Sequence, residues 1–304
     1  MILSKENKTK VDLDLLIEEK ISNNKINELL LIVPTNRKAR NLKKEIISRV
    51  PNKSAAGINI ETLGTVSSKL LNGLKPFKDL SEAASTVFIK QSVEVIKPRY
   101  FSIYNGDVPF GTLDRIKNVI SEYKRHGISP QRLREEAEIL EKSEKLKALD
   151  IADIYECYVS KCMKLNIYEL GDVYSQLSNL PTNEFIDSFN SYFQNVEVII
   201  ITGFDEFSQP EIEIIDRLSS IKNIKSYINF DYNKKNKYLF GHIDVCYERL
   251  EKKGFLKLPV KSSISKNEFI EVLENKLFNC RKQIRKDYKG KIFKISAQNR
   301  EEEI

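Results

Sequence analysis

Val196-Glu197-Val198-Ile199-Ile200-Ile201-Thr202-Gly203-Phe204-Asp205-Glu206-Phe207, VEVIIITGFDEF, decides how this chain folds. Val196 and then Val198–Thr202 are apolar or β-branched, and the run closes on Gly203. A continuous apolar run of that length predicts a strand covered on both faces, as in a parallel sheet. Functional groups of parallel sheets collect at the carboxyl ends of their strands. Asp205 and Glu206 stand at that end, where a nucleotide-driven motor keeps carboxylates for Mg²⁺ and water.

On the C-terminal side, Pro210 opens a helix over Glu211–Ile221, with Ile212, Ile215 and Leu218 inward. Ile224–Phe230 is a further strand ending at Asp231. Strand, helix and strand with short links predict a right-handed crossover and a parallel sheet. On the N-terminal side, Leu29–Val33 is a buried strand broken by Pro34-Thr35-Asn36. A helical stripe of Ala39, Leu42, Ile46 and Val50 follows over Arg37–Val50. Ile58 and Ile60 form a short extended piece, and Thr62 or Thr65 caps a helix reaching Leu71. Residues 1–28 are weakly patterned apart from an amphipathic helix over Leu13–Ile21.

Between Leu80 and Leu177 the pattern is helical. Ser81 caps Glu82–Ile96; Phe110, Leu113, Ile116, Ile120 and Tyr123 mark the next helix. Ser129-Pro130 opens Gln131–Leu140, Ser143 opens a long helix through Met163, and Tyr168–Leu177 is short. Beyond Asp231, helices are expected over Tyr238–Lys252 and Asn267–Phe278, and a strand over Ile292–Ser296. The expected organisation is an α/β sheet domain from 1–79 and 181–235, an all-α insertion over 80–180, and a basic helical segment over 236–304. From Lys234 to Lys294 there are 17 Lys/Arg against 7 Asp/Glu. Such a segment suits a polyanion partner.

Composition narrows the function classes. The chain has 304 residues, 41% hydrophobic and 31% charged, as in a soluble globular protein. No apolar run approaches the roughly 20 residues of a membrane helix. MILSKENKTK lacks the apolar core of a signal peptide. A cytoplasmic location without membrane association is expected. Cys157, Cys162, Cys246 and Cys280 are scattered and read as reduced thiols. His126 and His242 neighbour no other soft ligand, so no metal site and no catalytic constellation is expected. A phosphate-binding GxxxxGK[ST] loop needs glycines ahead of the first helix. Residues 1–56 contain none, and the first glycine is Gly57. No cofactor is therefore expected, ATP and Mg²⁺ included. Asp231 adds a third acid near a strand end, without the Glu-x-Lys companion of a two-metal nuclease.

Pro34-Thr35-Asn36-Arg37-Lys38-Ala39-Arg40 turns from strand to helix with hydroxyl, amide and basic groups together. Such a turn offers donors to a phosphate. Plain helix capping beneath a solvated basic face explains the same residues. Ile60-Glu61-Thr62-Leu63 is a second strand end carrying a hydroxyl.

The order of these pieces resembles a known family. VPTNRKARNLKKEI, then INIETLGTVSSKLL, a helical block, KALDIADIYECYVSKCMKLNIYELGDVYSQL, and VEVIIITGFDEFSQPEIEIIDRL resemble the N-terminal region of AddB/RexB-type subunits. These are inactivated superfamily-1 helicase-like proteins that carry a PD-(D/E)XK nuclease domain further along. The resemblance covers most of Leu29–Phe240 and implies a RecA-like (P-loop-type) parallel sheet flanked by helices and interrupted by an all-α insertion. It implies DNA contacts from Pro34, Thr35, Asn36, Arg37 and Arg40, and from Thr62, Thr65 and Ser67. It makes Asp205 and Glu206 a vestigial Walker B pair. It also implies single-stranded or duplex-end DNA as ligand and an AddA-type helicase subunit as partner, in double-strand break repair and recombination. Some AddB proteins keep a GxGKT-like loop; this chain does not. The exonuclease residues of the family would lie beyond residue 304. The reading is a non-catalytic, helicase-like DNA-binding scaffold. A DNA-dependent ATPase or helicase domain, and a docking module for a helicase partner, stay open beside it.

Overall fold

A computed structural model describes residues 1–5, 10–50, 57–234, 236–259, 269–270 and 272–273. The chain begins with β1 (Ile2–Ser4) and α1 (Leu13–Ser22), followed by β2 (Leu29–Val33), α2 (Asn36–Arg49), β3 (Asn59–Thr62) and α3 (Leu63–Leu74). Next come β4 (Lys78–Asp79), α4 (Glu82–Ile96), α5 (Phe110–Arg125), α6 (Pro130–Ala137), α7 (Lys142–Leu165), β5 (Ile167–Tyr168), α8 (Leu170–Ser178) and α9 (Thr182–Tyr192). The remainder is β6 (Val198–Thr202), α10 (Gln209–Leu218), β7 (Lys225–Asn229), α11 (Lys237–Phe240), α12 (Asp244–Lys252) and β8 (Leu256–Lys257).

Six strands form one sheet in the order β3-β2-β6-β7-β1-β8. β3, β2, β6 and β7 are parallel, with Leu31 opposite both Ile60 and Ile200, and Ile201 opposite Ile228. β6 therefore has a hydrogen-bonded neighbour on each side. Its alternate residues supply the two cores. Ile199 and Ile201 join Leu30, Ile32 and Ile228 beneath α3, α8, α9, α10 and α12. Val198 and Ile200 join Leu29, Leu31, Val33 and Tyr227 beneath α1 and α2. This is the RecA-like α/β arrangement: a mainly parallel sheet with helices on both faces.

The sheet departs from the expected pattern at its far edge. β1 pairs antiparallel with β7, Ile2 opposite Asn229 and Leu3 opposite Ile228, and β8 pairs antiparallel with β1. Strands of three and two residues carry no periodicity of their own, so only long-range pairing specifies them. The expected helix over Tyr238–Lys252 is divided at Gly241–Ile243, a 3-10 turn between α11 and α12. Tyr168 belongs to β5 rather than to a helix. Glu169 and Asp172 then form a capping box that starts α8 at Leu170. Of the helix expected over Asn267–Phe278, only 269–270 and 272–273 are described, as helix; the strand expected over Ile292–Ser296 lies outside the described residues.

The helical block leaves and rejoins the sheet layer through a clasp. β4 and β5 pair in parallel, with Lys78 N donating to Asn166 O (3.0 Å) and Leu80 N to Tyr168 O (3.1 Å). α4, α5 and α7 share a separate core of Ile89, Val93, Leu113, Ile116, Ile120, Ile154 and Tyr158. α8 instead packs through Val173, Tyr174 and Leu177 into the sheet's core. Where α5 crosses α8, a Cβ on Gly171 would lie 2.6 Å from Lys124 Cβ, so only glycine fits. Beside that crossing the Lys124 ammonium, 3% exposed, lies 2.8 Å from Glu169 and 2.7 Å from Asp172. It also sits 4.7 Å from the centre of the Tyr158 ring, whose hydroxyl donates to Glu169 (2.9 Å). Burial pulls the ammonium's pKa down, but the two carboxylates outweigh it and hold the group above the ordinary lysine value. On the other side, Arg217 of α10 donates to the carbonyls of Leu177, Ser178 and Leu180 at 2.7–2.8 Å, closing the end of α8.

Lys124→Met strands two carboxylates without their counter-charge. It is expected to cost about 3–5 kcal/mol, read from the midpoint of urea unfolding. At the opposite edge of the sheet, Glu28 binds Lys20 and, at 3.0 Å, Lys25, while Lys20 also holds Glu197 at 2.9 Å. The hydrogen bond from Lys20, then that from Lys25, lowers the Glu28 carboxyl from its ordinary value of 4.5 to about 2. A depressed carboxyl stabilises the fold above its unfolded pKa, and that contribution disappears as pH falls from 4.5 to about 2. Melting temperature followed through this window should fall more steeply in the wild type than in Glu28→Gln.

Candidate nucleic-acid interface

The carboxyl ends of β3, β2, β6 and β7 lie side by side, so the segments that follow them share one edge. After β2, Pro34, Thr35, Asn36, Arg37 and Arg40 are all exposed. The Thr35 hydroxyl accepts from Lys38 N at 3.2 Å and caps α2, while Ala39 and Ile46 turn inward. The local sequence explains this geometry. Pro34 cannot continue the strand ladder, and Thr35 is a favoured cap. After β3, the Thr62 hydroxyl accepts from Thr65 N at 3.0 Å and lies 2.8 Å from the Thr65 hydroxyl. One hydroxyl hydrogen of that pair satisfies the other oxygen, which leaves the second hydrogen for an outside acceptor. Between the two segments runs a shallow groove lined by Asn36, Ala39, Arg40, Lys43, Ile60 and Glu61. A larger cleft, lined by Lys20, Glu197, Lys222 and Lys225 among others, opens at the opposite edge, away from all of these residues.

Ser67 does not join this row. It lies on the inner side of α3, fully buried, and its hydroxyl has no hydrogen-bond partner among the described residues. The i+4 spacing from Leu63 puts it on the face that Val66 and Leu70 bury, out of reach of a ligand at the sheet edge. Asp205 and Glu206 are exposed in the turn after β6, and neither makes a hydrogen bond among the described residues. Gly203 has φ +79°, and a Cβ there would lie 1.8 Å from the Lys38 amine. Lys38 thus reaches across from α2 to the β6 turn, and Asn229 of β7 donates to the Thr202 hydroxyl at 3.3 Å. Side-chain contacts of this kind leave no mark in local sequence, though the glycine ending the apolar run signals a tight turn.

Phosphate loops follow a strand parallel to the one carrying the carboxylates, so loop and carboxylates meet. Here β1 runs the other way and delivers the chain to the opposite edge. Lys5 there binds Asp216 and, at 2.8 Å, the Ser220 hydroxyl, beyond the far end of α10.

The family model described as ADDB, N-terminal, matches residues 4–277. The chain belongs to this AddB N-terminal family. Two relatives, each named as a subunit of an ATP-dependent helicase/deoxyribonuclease, come from Thermoanaerobacter sp. (strain X514) and Thermoanaerobacter pseudethanolicus (strain ATCC 33223 / 39E). Each is 23% identical over 292 residues, an alignment covering 86% of this chain and 24% of the relative. The chain therefore spans about a quarter of the length of these AddB-type relatives. No helix among the described residues is long and apolar enough to cross a membrane.

The Gly203 turn offers a direct check on this geometry. Gly203→Ala is expected to cost about 1–2 kcal/mol, because a left-handed backbone is strained for alanine. The Lys38 amine is the far end of a flexible chain and moves aside cheaply. Lys38→Ala should therefore rescue little of the loss. Gly203→Asn, with a side chain that tolerates this backbone, should by contrast retain much of the wild-type stability in thermal unfolding.

Proposed function

We propose that this chain is a non-catalytic, helicase-like DNA-binding scaffold, the front part of an AddB-type helicase–nuclease subunit serving double-strand break repair and recombination. One observation carries the reading: two side-chain-capped helix starts, at Thr35 and Thr62, stand on adjacent parallel strands and face the same edge. Arg37 and Arg40 are exposed beside the first of them. Backbone N–H groups at a helix start, hydroxyls and guanidinium groups all donate to phosphate oxygens. The ligand in this reading is single-stranded or duplex-end DNA, and the partner an AddA-type helicase subunit. The names of the long relatives support a place in such an assembly. In this reading the PD-(D/E)XK exonuclease that the family resemblance implies lies outside residues 1–304. ATP and Mg²⁺ have no role in this chain, in keeping with the direction of β1.

The test is fluorescence anisotropy with labelled single-stranded DNA. Binding at micromolar or tighter Kd, unaffected by ATP, is expected at about 50 mM salt. Arg37→Ala with Arg40→Ala should lower the slope of log affinity against log salt by about 1.4, at about 0.7 for each phosphate that is no longer neutralised. No binding at this salt overturns the reading. DNA-stimulated ATP hydrolysis abolished by Asp205→Ala with Glu206→Ala would replace it with a working motor. The tip of the helical block favours a second reading: Ile103, Phe110 and Ile139 are among the most exposed apolar side chains described. Capture of a purified AddA-type subunit that survives high salt, without DNA affinity, would select a docking role instead.

A further inference from the structure

Beyond the carboxyl end of β7 the chain carries Asp231-Tyr232-Asn233-Lys234-Lys235-Asn236-Lys237-Tyr238, a basic run between two tyrosines. The two rings have opposite fates. Tyr232 is buried and joins a continuous aromatic array along the sheet edge. Its ring stacks on Tyr247 at 4.6 Å, lies 6.3 Å from Phe230 and meets Phe240 edge-on at 6.3 Å. From Phe230 the array continues through Phe207 (5.9 Å) to Phe204 (4.9 Å), in the turn after β6. Tyr238 is 78% exposed. It sits on α11, whose start is capped by Asn236, two residues before Phe240. That spacing sets the two side chains on opposite sides of the turn. Phe240 docks onto Tyr232, and the same contact fixes the helix that holds Tyr238 outward.

The charges near this array are sorted. Asp205, Glu206 and Asp231 are exposed in the turns after β6 and β7. They repel phosphates, so a nucleic-acid backbone is not held at those turns. Lys234 and Lys237 are exposed on the flank of α11 and take part in none of the ion pairs seen among the described residues. β2 and β7 are two strand spacings apart, about 10 Å, so a strand crossing from the α2 start passes the carboxylates of the β6 and β7 turns before it reaches the exposed ring of Tyr238 and its neighbouring lysines. Bases carry no charge and stack on aromatic rings regardless of sequence.

We propose that Tyr238 is a base-stacking position for single-stranded DNA, flanked by Lys234 and Lys237 and held in place by the Phe240–Tyr232 contact. This rests on the DNA-binding reading above and adds the place where bases, rather than phosphates, are gripped. The chain contains no Trp. Tyr238→Trp therefore introduces a single fluorescent reporter at an exposed position.

The experiment titrates the full chain with oligo-dT of about 15 nucleotides and with an abasic deoxyribose-phosphate strand of equal length. Stacking predicts that oligo-dT quenches the Tyr238→Trp emission while the abasic strand does not. It also predicts that Tyr238→Ala weakens oligo-dT binding about tenfold and leaves abasic binding unchanged. Circular dichroism melting confirms that the exposed substitution leaves the fold intact. If oligo-dT binds but Tyr238→Ala binds it equally and the reporter stays unquenched, the stacking position is overturned and the phosphate-binding edge stands. If Tyr238→Ala loses oligo-dT and abasic strand alike, Tyr238 does not act on bases and the proposal also falls. If the wild type binds neither strand, both readings fall together.

Discussion

A strand with hydrogen-bonded neighbours on each side and apolar side chains on both faces has nowhere to meet water. β6 is that strand, and its burial sets the requirements for everything around it. Ile199 and Ile201 need one helical layer, Val198 and Ile200 another. Short crossovers through α2, from β2 to β3, and through α10, from β6 to β7, supply those layers while keeping each strand pair parallel. Parallel strands then turn their carboxyl ends the same way. The capped starts of α2 and α3 and the β6 turn become neighbours as a result of packing, before any ligand is considered.

The junction with the helical block is built differently. Sheet and block have separate apolar cores, so oil-like contact alone does not fix their relation. A buried ammonium does. Lys124 has one arrangement in which both Glu169 and Asp172 are satisfied, and the capping box of α8 already fixes those two carboxylates. A misplaced block would leave charge in a dry interior, which costs several kcal/mol. The bare Cα of Gly171 lets the helices approach closely enough for the ammonium to reach. Arg217 ties the other end of α8 to α10. α8 is thus gripped from both sides.

Much of this was legible in the sequence because its signals are local. Leu29–Val33 emerged as a strand with the bounds expected, and Ser81 caps Glu82–Ile96 as its position before Glu82 predicted. The parallel α/β class followed from strand, helix and strand around Val198–Thr202, and its RecA-like form from the family resemblance. What escaped depends on distance or on competing readings. β1 and β8 exist only through partners far along the chain. α9 carried a usable sign, Phe185, Phe189 and Phe193 at i+4 spacing after Pro181, yet it lies beside the dominant apolar run of β6. At the candidate interface, the structure brings Pro34–Arg40 and Thr62, which the sequence singled out, to one edge of the sheet. Ser67 differs because helical phase rather than residue type decides exposure. Tyr238 lacked a signal because nothing local separates it from Tyr232; only the array around Tyr232 does.

The antiparallel strand at the sheet's far edge also bears on the order of assembly. Met1 and Phe230 bond to each other across 229 residues, and β8 completes β1 on its other side. During synthesis Ile2–Ser4 emerge well before β7 and β8, the strands they pair with. The parallel core of β2, β3 and β6 can close earlier, within shorter loops. Pairings of such span form slowly. Until β7 emerges, its future edge on β6 stays uncovered, an open strand of Val-Ile-Ile-Ile-Thr able to pair with another chain. Ile2–Ser4 thus serve as a late clamp, and a nascent chain stalled before residue 225 leaves this β6 edge open.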